Sequence, residues 1–560
     1  MYKYVNIIVM KRAAIYVYHD KNGFFEDYAV YYVNSLLQVA DKVVVVINGD
    51  INKEQLLKIN NPKIKIIQRE NKGYDFWAYK LGFLSLGQEN IKIFDEIIFA
   101  NSSVYGPLFP FDEMFEKMKG KKADFWGITK HPEMSRNIIK FNPKTKIKEH
   151  IQSYFMVFRK SLFLHPVFKN YFENLKTVKN KKEAIGCFEV SMTKYFKDKG
   201  FNYDVYVDDD ILKYGVENYH QYLPMTAVEE YKCPLIKRTI FAKRFDLAER
   251  AGQTDETKKV FDFIRNKTNY DINLIVKDIT KNYSMGEIKR FLHLDFILSN
   301  KQRQNFLNPK CICYFDFSDD EINKIIRSYL RNIFGKVDIK GLCGNSEISF
   351  GKEFKIGFLD KNKSYFKQIK EDGLNYDYIF LFCPDFNILN KISLTEKINY
   401  TKYLLNCTLN NRIFISNLFD VFQKNSYIGL LTPIPFMFKG FKFSFSDIDK
   451  KDFDKFLSDI SFTTPFSTDF LNTTPPCFWM KKEMLDCIND CIDFEEKTTL
   501  NKGIIFSLLA QKYGFLTGNV SDADTFILYK DKLEYQVLRR NGFLSDIASK
   551  IDKYLKSRGK

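Results

Sequence analysis

KVVVVING, residues Lys42 to Gly49, decides the fold class. It is an unbroken apolar run rich in β-branched residues, of strand length, closed by the turn pair Asn48-Gly49. A run without alternation belongs to a strand covered on both faces, as in a mainly parallel sheet. Its neighbours repeat the theme. AAIYVYHD (Ala13 to Asp20) is a buried strand ending in polar His19 and Asp20, and Phe25, Ala29, Tyr32, Leu36 and Val39 then recur at helical spacing. After KVVVVING come a short helix, Pro62, the strand IKIIQRE (Ile64 to Glu70), a helix from about Asp75, and the strand opening IIFANSSVYGPL (Ile97 to Leu108). Strands and helices alternating at this length give an α/β sheet with helices on both faces. Ligands of such sheets bind outside the carboxyl ends of the strands. That rule gathers His19-Asp20, Asn48-Gly49, Glu70-Asn71 and Asn101-Ser102-Ser103 on one rim.

Composition bounds the rest. The chain has 560 residues, 45% of them hydrophobic, enough for real cores and more than one domain. No apolar run reaches the length of a bilayer span. MYKYVNIIVMKR carries too short an apolar stretch, and no small-residue cleavage site, for a signal peptide, so a cytoplasmic location is expected. The ten cysteines show no zinc spacing and read as buried thiols. The net charge of +17 favours an anionic partner, but basic residues are interleaved with acidic ones along the chain. No zinc-finger, RNP or helix-turn-helix pattern supports nucleic acid, and none is expected as a partner.

Past the Gly106-Pro107 turn come a helix (Phe111 to Met118), the strand ADFWGIT, a polar stretch and the strand IQSYFMVFRK. GCFEVSMTKYFKDKGFNYDVYVD then reads as helix, Gly200 stop and strand. Residues 233–308 are charged and helical in pattern. A second alternating region runs from KCICYFDF through YDYIFLFCPD, YIGLLTPIPF and PPCFWMKKEMLDCI. The expected organisation is 1–232 as a first domain, 233–308 as a helical connector, 309–530 as a second domain and 531–560 as a basic amphipathic tail.

NKGYDFWAYK (Asn71 to Lys80), FDEIIFANSSVYGPLFPFDEM (Phe94 to Met114), DFWGIT (Asp124 to Thr129), HIQSYFMVFRK (His150 to Lys160) and FEVSMTKYFKDKGF (Phe188 to Phe201) keep an order and spacing that resemble the rhamnan synthesis protein F family of bacterial polysaccharide glycosyltransferases. CPLIKRTIF (Cys233 to Phe241) extends the likeness, and the second half is similar more faintly. There the family's Lys-x-His-Thr-Lys and Gly-Ser-Met segments are replaced by Phe382-Cys383-Pro384 and Pro475-Pro476-Cys477. The resemblance implies two GT-A-like units, Rossmann-like with mainly parallel sheets, joined by a helical connector. It also implies transfer of a sugar, rhamnose or another deoxyhexose, from a nucleotide-sugar donor of the dTDP-rhamnose kind to a growing surface glycan such as capsule or lipopolysaccharide. The acceptor would be lipid-linked, the enzyme peripheral on the inner face of the cytoplasmic membrane, and the basic tail a contact for anionic lipid.

Residue types on the rim refine the expectation. Asn71, Gly73 and Asp75 sit at a strand-to-helix turn, where Gly73 allows close approach and Asp75 takes a base or sugar hydroxyl, or else caps the helix. Asn101, Ser102 and Ser103 face the donor diphosphate or simply cap their strand. Ser102 stands where the family has Asp, the type of ligand that holds Mg or Mn in many GT-A enzymes. Asp95 lies at the wrong end of the strand to replace it. Without metal, the diphosphate must be met by Lys, Arg or backbone N–H groups. Tyr105 and Gly106 are assigned to donor binding or turn architecture, and His19 to the donor or the rim. Glu189, at the edge of the stripe Phe188, Met192 and Tyr195, is the expected base, with Asp20 second. Gln152, Ser153 and Tyr154 open a strand on the acceptor side. An inverting displacement is expected. The alternative is a degenerate, non-catalytic transferase that binds glycan or scaffolds its assembly.

Overall fold

The computed structural model describes residues 10–133, 147–207, 222–241, 256–301, 307, 309–332, 337–343, 356–360, 363–384, 389, 392–435, 450–466, 475–494, 502–528 and 530. The basic tail, 531–560, lies outside the described residues. The chain divides into two compact units, Met1–Ile275 and Val276–Lys560.

The first unit carries β1 (Arg12–Tyr18), β2 (Lys42–Asn48), β3 (Ile64–Arg69), β4 (Glu96–Asn101), β5 (Val104–Tyr105), β6 (Phe125–Gly127), β7 (Lys130–His131), β8 (His150–Ile151), β9 (Phe155–Arg159), β10 (Tyr203–Val205) and β11 (Ile236–Lys237). Seven of these form one sheet in the order β10-β6-β9-β4-β1-β2-β3. β1, β2, β3 and β4 are mutually parallel, as are β6 and β10, while β9 runs antiparallel between β4 and β6. The apolar run of β2 is buried over six consecutive residues, whereas edge strand β3 is at most half-buried, with Lys65 and Gln68 exposed. Helix Asp27–Val39 buries Ala29, Tyr32, Leu36 and Val39, the positions the spacing marks. Helix Tyr74–Leu84 lays Tyr79 against Phe99, ring centroids 4.7 Å apart. At the amino end of the sheet Glu96, its side chain 2% exposed, joins Arg12 and Arg159 at 2.7 and 3.3 Å and ties β1, β4 and β9 together.

The strand expected from Ile151 to Lys160 is broken in two. β8 pairs with β7 in a short ribbon, and β9 begins only at Phe155. Gln152, Ser153 and Tyr154 therefore form a link rather than open a strand. Thr129 holds the link: its Oγ1 donates to Gln152 Oε1 at 2.9 Å and lies 2.7 Å from the Tyr154 hydroxyl, and its carbonyl oxygen accepts from Gln152 N at 3.0 Å.

The second unit holds β12 (Asp295–Leu298), β13 (Cys311–Asp316), β14 (Val337–Cys343), β15 (Ile356–Phe358), β16 (Tyr378–Phe382), β17 (Ile428–Pro433), β18 (Cys477–Lys481) and β19 (Leu516–Asp522). Their order is β12-β19-β17-β18-β16-β13-β14-β15. Reversed, it reads β15-β14-β13-β16-β18-β17-β19, which matches β3-β2-β1-β4-β9-β6-β10 strand for strand. The match extends to direction, because β18 is antiparallel to both neighbours as β9 is. β12 is an added edge strand. The chain is thus a duplicated α/β fold with two mainly parallel sheets. The stretch 233–308 carries helices Glu256–Lys267, Ile272–Asn282 and Met285–Leu292, together with the short strands β11 and β12 that its charged composition hides. No helix among the described residues is long and apolar enough to cross a membrane.

Candidate functional site

β1 has β2 on one side and β4 on the other, so the chain winds away from it in both directions. The crevice outside the carboxyl ends of β1 and β4 is the switch point where α/β sheets bind ligands. A cleft of about 640 Å³ opens there, large enough for a nucleotide-sized ligand.

Its floor is the end of β4. Asn101, 4% exposed, lies opposite Val17 of β1. Its Oδ1 accepts from Ser103 N at 3.1 Å and Ser103 Oγ at 2.6 Å, and its Nδ2 donates to Asp75 Oδ2 at 3.1 Å. The amide therefore joins the strand end to the start of helix Tyr74–Leu84. Gly73 shapes that start. Its φ is +73°, and a Cβ there would stand 2.2 Å from Trp77 Cγ. Tyr74, which lines the cleft, follows at φ +55°, a costly conformation for an L side chain and of the kind that clusters at functional sites. These two residues reverse the chain so that Asn71 and Asp75 both face the cleft.

One wall comes from far along the chain. β11 pairs antiparallel with β5, Ile236 opposite Tyr105 and Lys237 opposite Val104. The pairing needs the turn at Gly106: φ is +133°, and a Cβ would lie 2.4 Å from the carbonyl oxygen of Pro234. Tyr105 is fully buried between Tyr28 and Phe241. Tyr105 and Gly106 thus seat the segment that delivers Lys237 and Arg238. The Arg238 guanidinium lies 4.6 Å from the centre of the Tyr28 ring. Its Nη1 donates to the Tyr28 hydroxyl at 2.6 Å and to the carbonyl oxygen of Ser102 at 3.1 Å. Lys237 Nζ stands 5.7 Å over the Tyr154 ring.

The opposite wall is the turn Ile185–Glu189, a π-type widening at the start of helix Val190–Asp198. Such widenings recur at functional sites because they re-aim a side chain. Glu189 is half-buried, and its Oε1 accepts from Ser153 N at 2.9 Å. Tyr79 holds the same link from below, donating to the carbonyl oxygen of Ser153 at 2.9 Å.

The charges are arranged unequally. Lys181, Lys237 and Arg238 supply positive charge, and Asp75 and Glu189 negative. Burial pushes the Asp75 carboxyl up to about 6; Lys181 and His19 pull it down, and Glu189 adds to the rise. His150, behind Glu189 on the β7–β8 ribbon, has its pKa lowered chiefly by burial.

Of the residues expected from the sequence, His19, Asn71, Asp75, Asn101, Ser102, Ser103, Ser153, Tyr154 and Glu189 all line this cleft. His19 is set by Nδ1, which donates to the carbonyl oxygen of Asn48 at 2.6 Å. Gly73, Tyr105, Gly106 and Gln152 support it from behind. Asp20 is not among the lining residues: its Oδ1 accepts from Asn22 N at 2.9 Å and Phe24 N at 3.1 Å, capping the loop after β1. Lys181, Lys237 and Arg238 escaped the sequence reading of the site. Their signal was the basic pair inside CPLIKRTIF and the lysine run before Glu189, both without a periodic marker.

Comparison with known proteins bears on this site. The chain is 26% identical over 203 residues to uncharacterized protein y4gN of Sinorhizobium fredii, covering 36% of this chain and 50% of that one. It is 30% identical over 153 residues to virulence protein VirA of Vibrio anguillarum, covering 26% and 43%. It thus spans half or less of the curated relatives it matches. Among solved structures, the glycosyltransferase GlyE of Streptococcus pneumoniae aligns over 66% of this chain and 84% of its own at 11% identity and a TM-score of 0.25. The 4-diphosphocytidyl-2C-methyl-D-erythritol synthase of Anaerococcus prevotii aligns over 35% and 86% at 13% identity and 0.23. Scores this low fix no detail of the cleft. The family assignment rests on a far longer match: the model of rhamnan synthesis protein F covers residues 43–503, and the chain belongs to that family.

Proposed function

We propose that the first unit transfers a sugar from a nucleotide-sugar donor to a growing cell-surface polysaccharide. Membership of the rhamnan synthesis protein F family supports a glycosyltransferase of polysaccharide synthesis. The observation that carries the reading is the composition of one cleft, where three cations and two carboxylates meet at the switch point of the sheet.

The parts fit an inverting displacement. The donor diphosphate lies over the end of β4, against Lys181, Lys237 and Arg238, which stabilise the charge that builds as the glycosidic C–O bond breaks. The acceptor hydroxyl approaches from the side of Ser153 and Tyr154. Glu189 takes its proton as the oxygen attacks the anomeric carbon. The Ser153 N–H fixes one oxygen of that carboxylate, and Oε2 has no hydrogen-bond partner among the described residues. Asp75, Asn71 and His19 hold the nucleoside side of the donor. A dTDP-linked deoxyhexose is the donor we favour and a lipid-linked glycan the acceptor, which would draw the enzyme to the inner face of the membrane.

The second unit is proposed as the non-catalytic partner. At the strand end equivalent to Asn101-Ser102-Ser103 it presents Phe382-Cys383-Pro384, which offers no side-chain oxygen to a phosphate or sugar. This observation also keeps a second reading in view, that the whole chain binds or scaffolds glycan without turnover. A panel of nucleotide-sugars tested with a membrane-extracted glycan acceptor separates the two. Release of nucleoside diphosphate coupled to acceptor glycosylation, abolished in Glu189→Gln, is expected; glycan binding without turnover of any donor would refute the enzyme.

A further inference from the structure

The transferase reading leaves open how the cleft meets the negative charge of a diphosphate. Many enzymes of this architecture place a carboxylate at the end of the fourth strand and hold a dication there. Mg²⁺ and Mn²⁺ want carboxylate oxygens, or oxygens with lone pairs to spare. The donor set at the end of β4 fails this requirement atom by atom. Asn101 Oδ1 already accepts from Ser103 N and Ser103 Oγ, and Asn101 Nδ2 is itself a donor, spent on Asp75. The carbonyl oxygen of Ser102 accepts from the Tyr28 hydroxyl at 3.3 Å and from Arg238 Nη1 at 3.1 Å. The carbonyl oxygen of Ser103 accepts from Arg238 N at 3.1 Å. What remains is neutral hydroxyl oxygen. A fixed guanidinium stands beside it, and its charge repels a dication.

The two carboxylates do not replace the missing ligand. They come from the helix start at Asp75 and the π turn at Glu189, not from the strand end. One oxygen of each is already engaged, by Asn101 and by Ser153 N, and Lys181 lies beside Asp75. Among the described residues, no group of three or more His, Cys, Asp or Glu side chains could hold a metal ion.

We infer that this cleft neutralises the diphosphate of its donor with Arg238, Lys237 and Lys181 and takes no divalent cation at the end of β4. The inference rests on the transferase reading and deepens it. Arg238 is the central group, because stacking on Tyr28 and bonding to Ser102 fix its guanidinium at the place where a cation would otherwise be coordinated. Lys237 and Lys181 flank it from two separate elements, so three charges converge without any one segment having to close.

The test uses the full chain and two probes, dTDP and UDP, titrated calorimetrically once with EDTA and once with MnCl₂. Equal dissociation constants, within about twofold, are expected in the two buffers. Arg238→Gln should weaken binding by about ten- to a hundredfold in both, the loss expected for one charge-assisted contact. Because Arg238 also packs on Tyr28, Lys181→Gln and Lys237→Gln serve as independent variants. Each should weaken binding severalfold, and affinity should fall as salt rises. Binding that appears only with Mn²⁺, or that survives all three substitutions, overturns the inference while leaving the transferase reading intact. A folded chain that binds neither nucleotide in either buffer overturns the inference, while the transferase reading is then decided by the donor panel above.

Discussion

Asp75→Asn should make the first unit more stable at neutral pH. The carboxyl of Asp75 stands at about 6 against an ordinary 3.8, chiefly because the cleft strips water from its charged form. Its proton is therefore held more tightly in the fold than in the unfolded chain. Its contribution to stability is fully present below pH about 4 and is lost as pH rises through about 6. A difference of about two pKa units corresponds to about 3 kcal/mol of stability forgone above that range, taken as an upper bound. Asparagine is isosteric, keeps an oxygen for Asn101 Nδ2 and carries no charge, so a gain of about 1–3 kcal/mol at pH 8 is expected. Guanidinium unfolding followed by Trp77 and Trp126, in a Trp479→Phe background, reports the first unit alone, since Trp479 lies in the second. The gain should shrink towards zero at about pH 3, where the wild-type carboxyl is protonated in both the folded and the unfolded chain. A loss of stability at pH 8, or a gain independent of pH, would refute the account of a desolvated carboxylate. The same substitution should lower donor affinity, since strain and desolvation at a binding site trade stability for function.

Glu189→Gln keeps an oxygen for the Ser153 N–H, so nucleotide binding should stay within about threefold while turnover falls at least about a hundredfold; unchanged turnover would remove Glu189 as base. Gly73→Ala places a Cβ 2.2 Å from Trp77 Cγ at a φ of +73°, and should cost about 1–3 kcal/mol in thermal unfolding of the first unit. Glu96→Ala leaves Arg12 and Arg159 without their carboxylate and should cost about 3–5 kcal/mol by denaturant titration, with the residual fold tested by circular dichroism.

Much of the first sheet was legible because its strands are short-range events. The run at Lys42, the run at Ala13 and the helix between them each carry their own periodicity, and the rim rule then collects their polar ends. The order of strands was less visible. Nothing in the composition of Phe155–Arg159 distinguishes a strand running antiparallel between β4 and β6 from a parallel one. Gln152–Tyr154 reads as strand because three polar residues beside an apolar run fit either state; Thr129, whose hydroxyl holds the link, lies over twenty residues away. The cations of the cleft were the hardest to see. Arg238 meets the carbonyl oxygen of Ser102 across 136 residues of chain, through a two-residue ribbon too short for any pattern. Glu189 was found as the edge of a helical stripe, but the π turn that points it at Ser153 has no sequence mark.

The duplication of strand order sharpens what the cleft requires. Both units place two parallel strands at a switch point, β1 with β4 and β13 with β16, so both inherit the crevice that the topology creates. The fold alone therefore does not make a donor site. In the first unit the strand end is followed by serines, a left-handed turn at Gly73 turns an aspartate inwards, and a distant ribbon adds Lys237 and Arg238. In the second unit β13 ends on Asp316, but its Oδ1 accepts from Ser318 N at 3.0 Å, a local cap, and β16 runs out into Phe382, Cys383 and Pro384. A phosphate there would meet a ring, a thiol and an imide with no N–H to offer. Among the described residues, the same scaffold thus carries one crevice lined by Lys181, Lys237 and Arg238, on which the proposed diphosphate contact rests, and one where the end of β16 offers no side-chain oxygen. On the proposed reading, function lies in the side chains that a strand end, a helix start, the π turn and a distant ribbon bring to the crevice, rather than in the sheet beneath them.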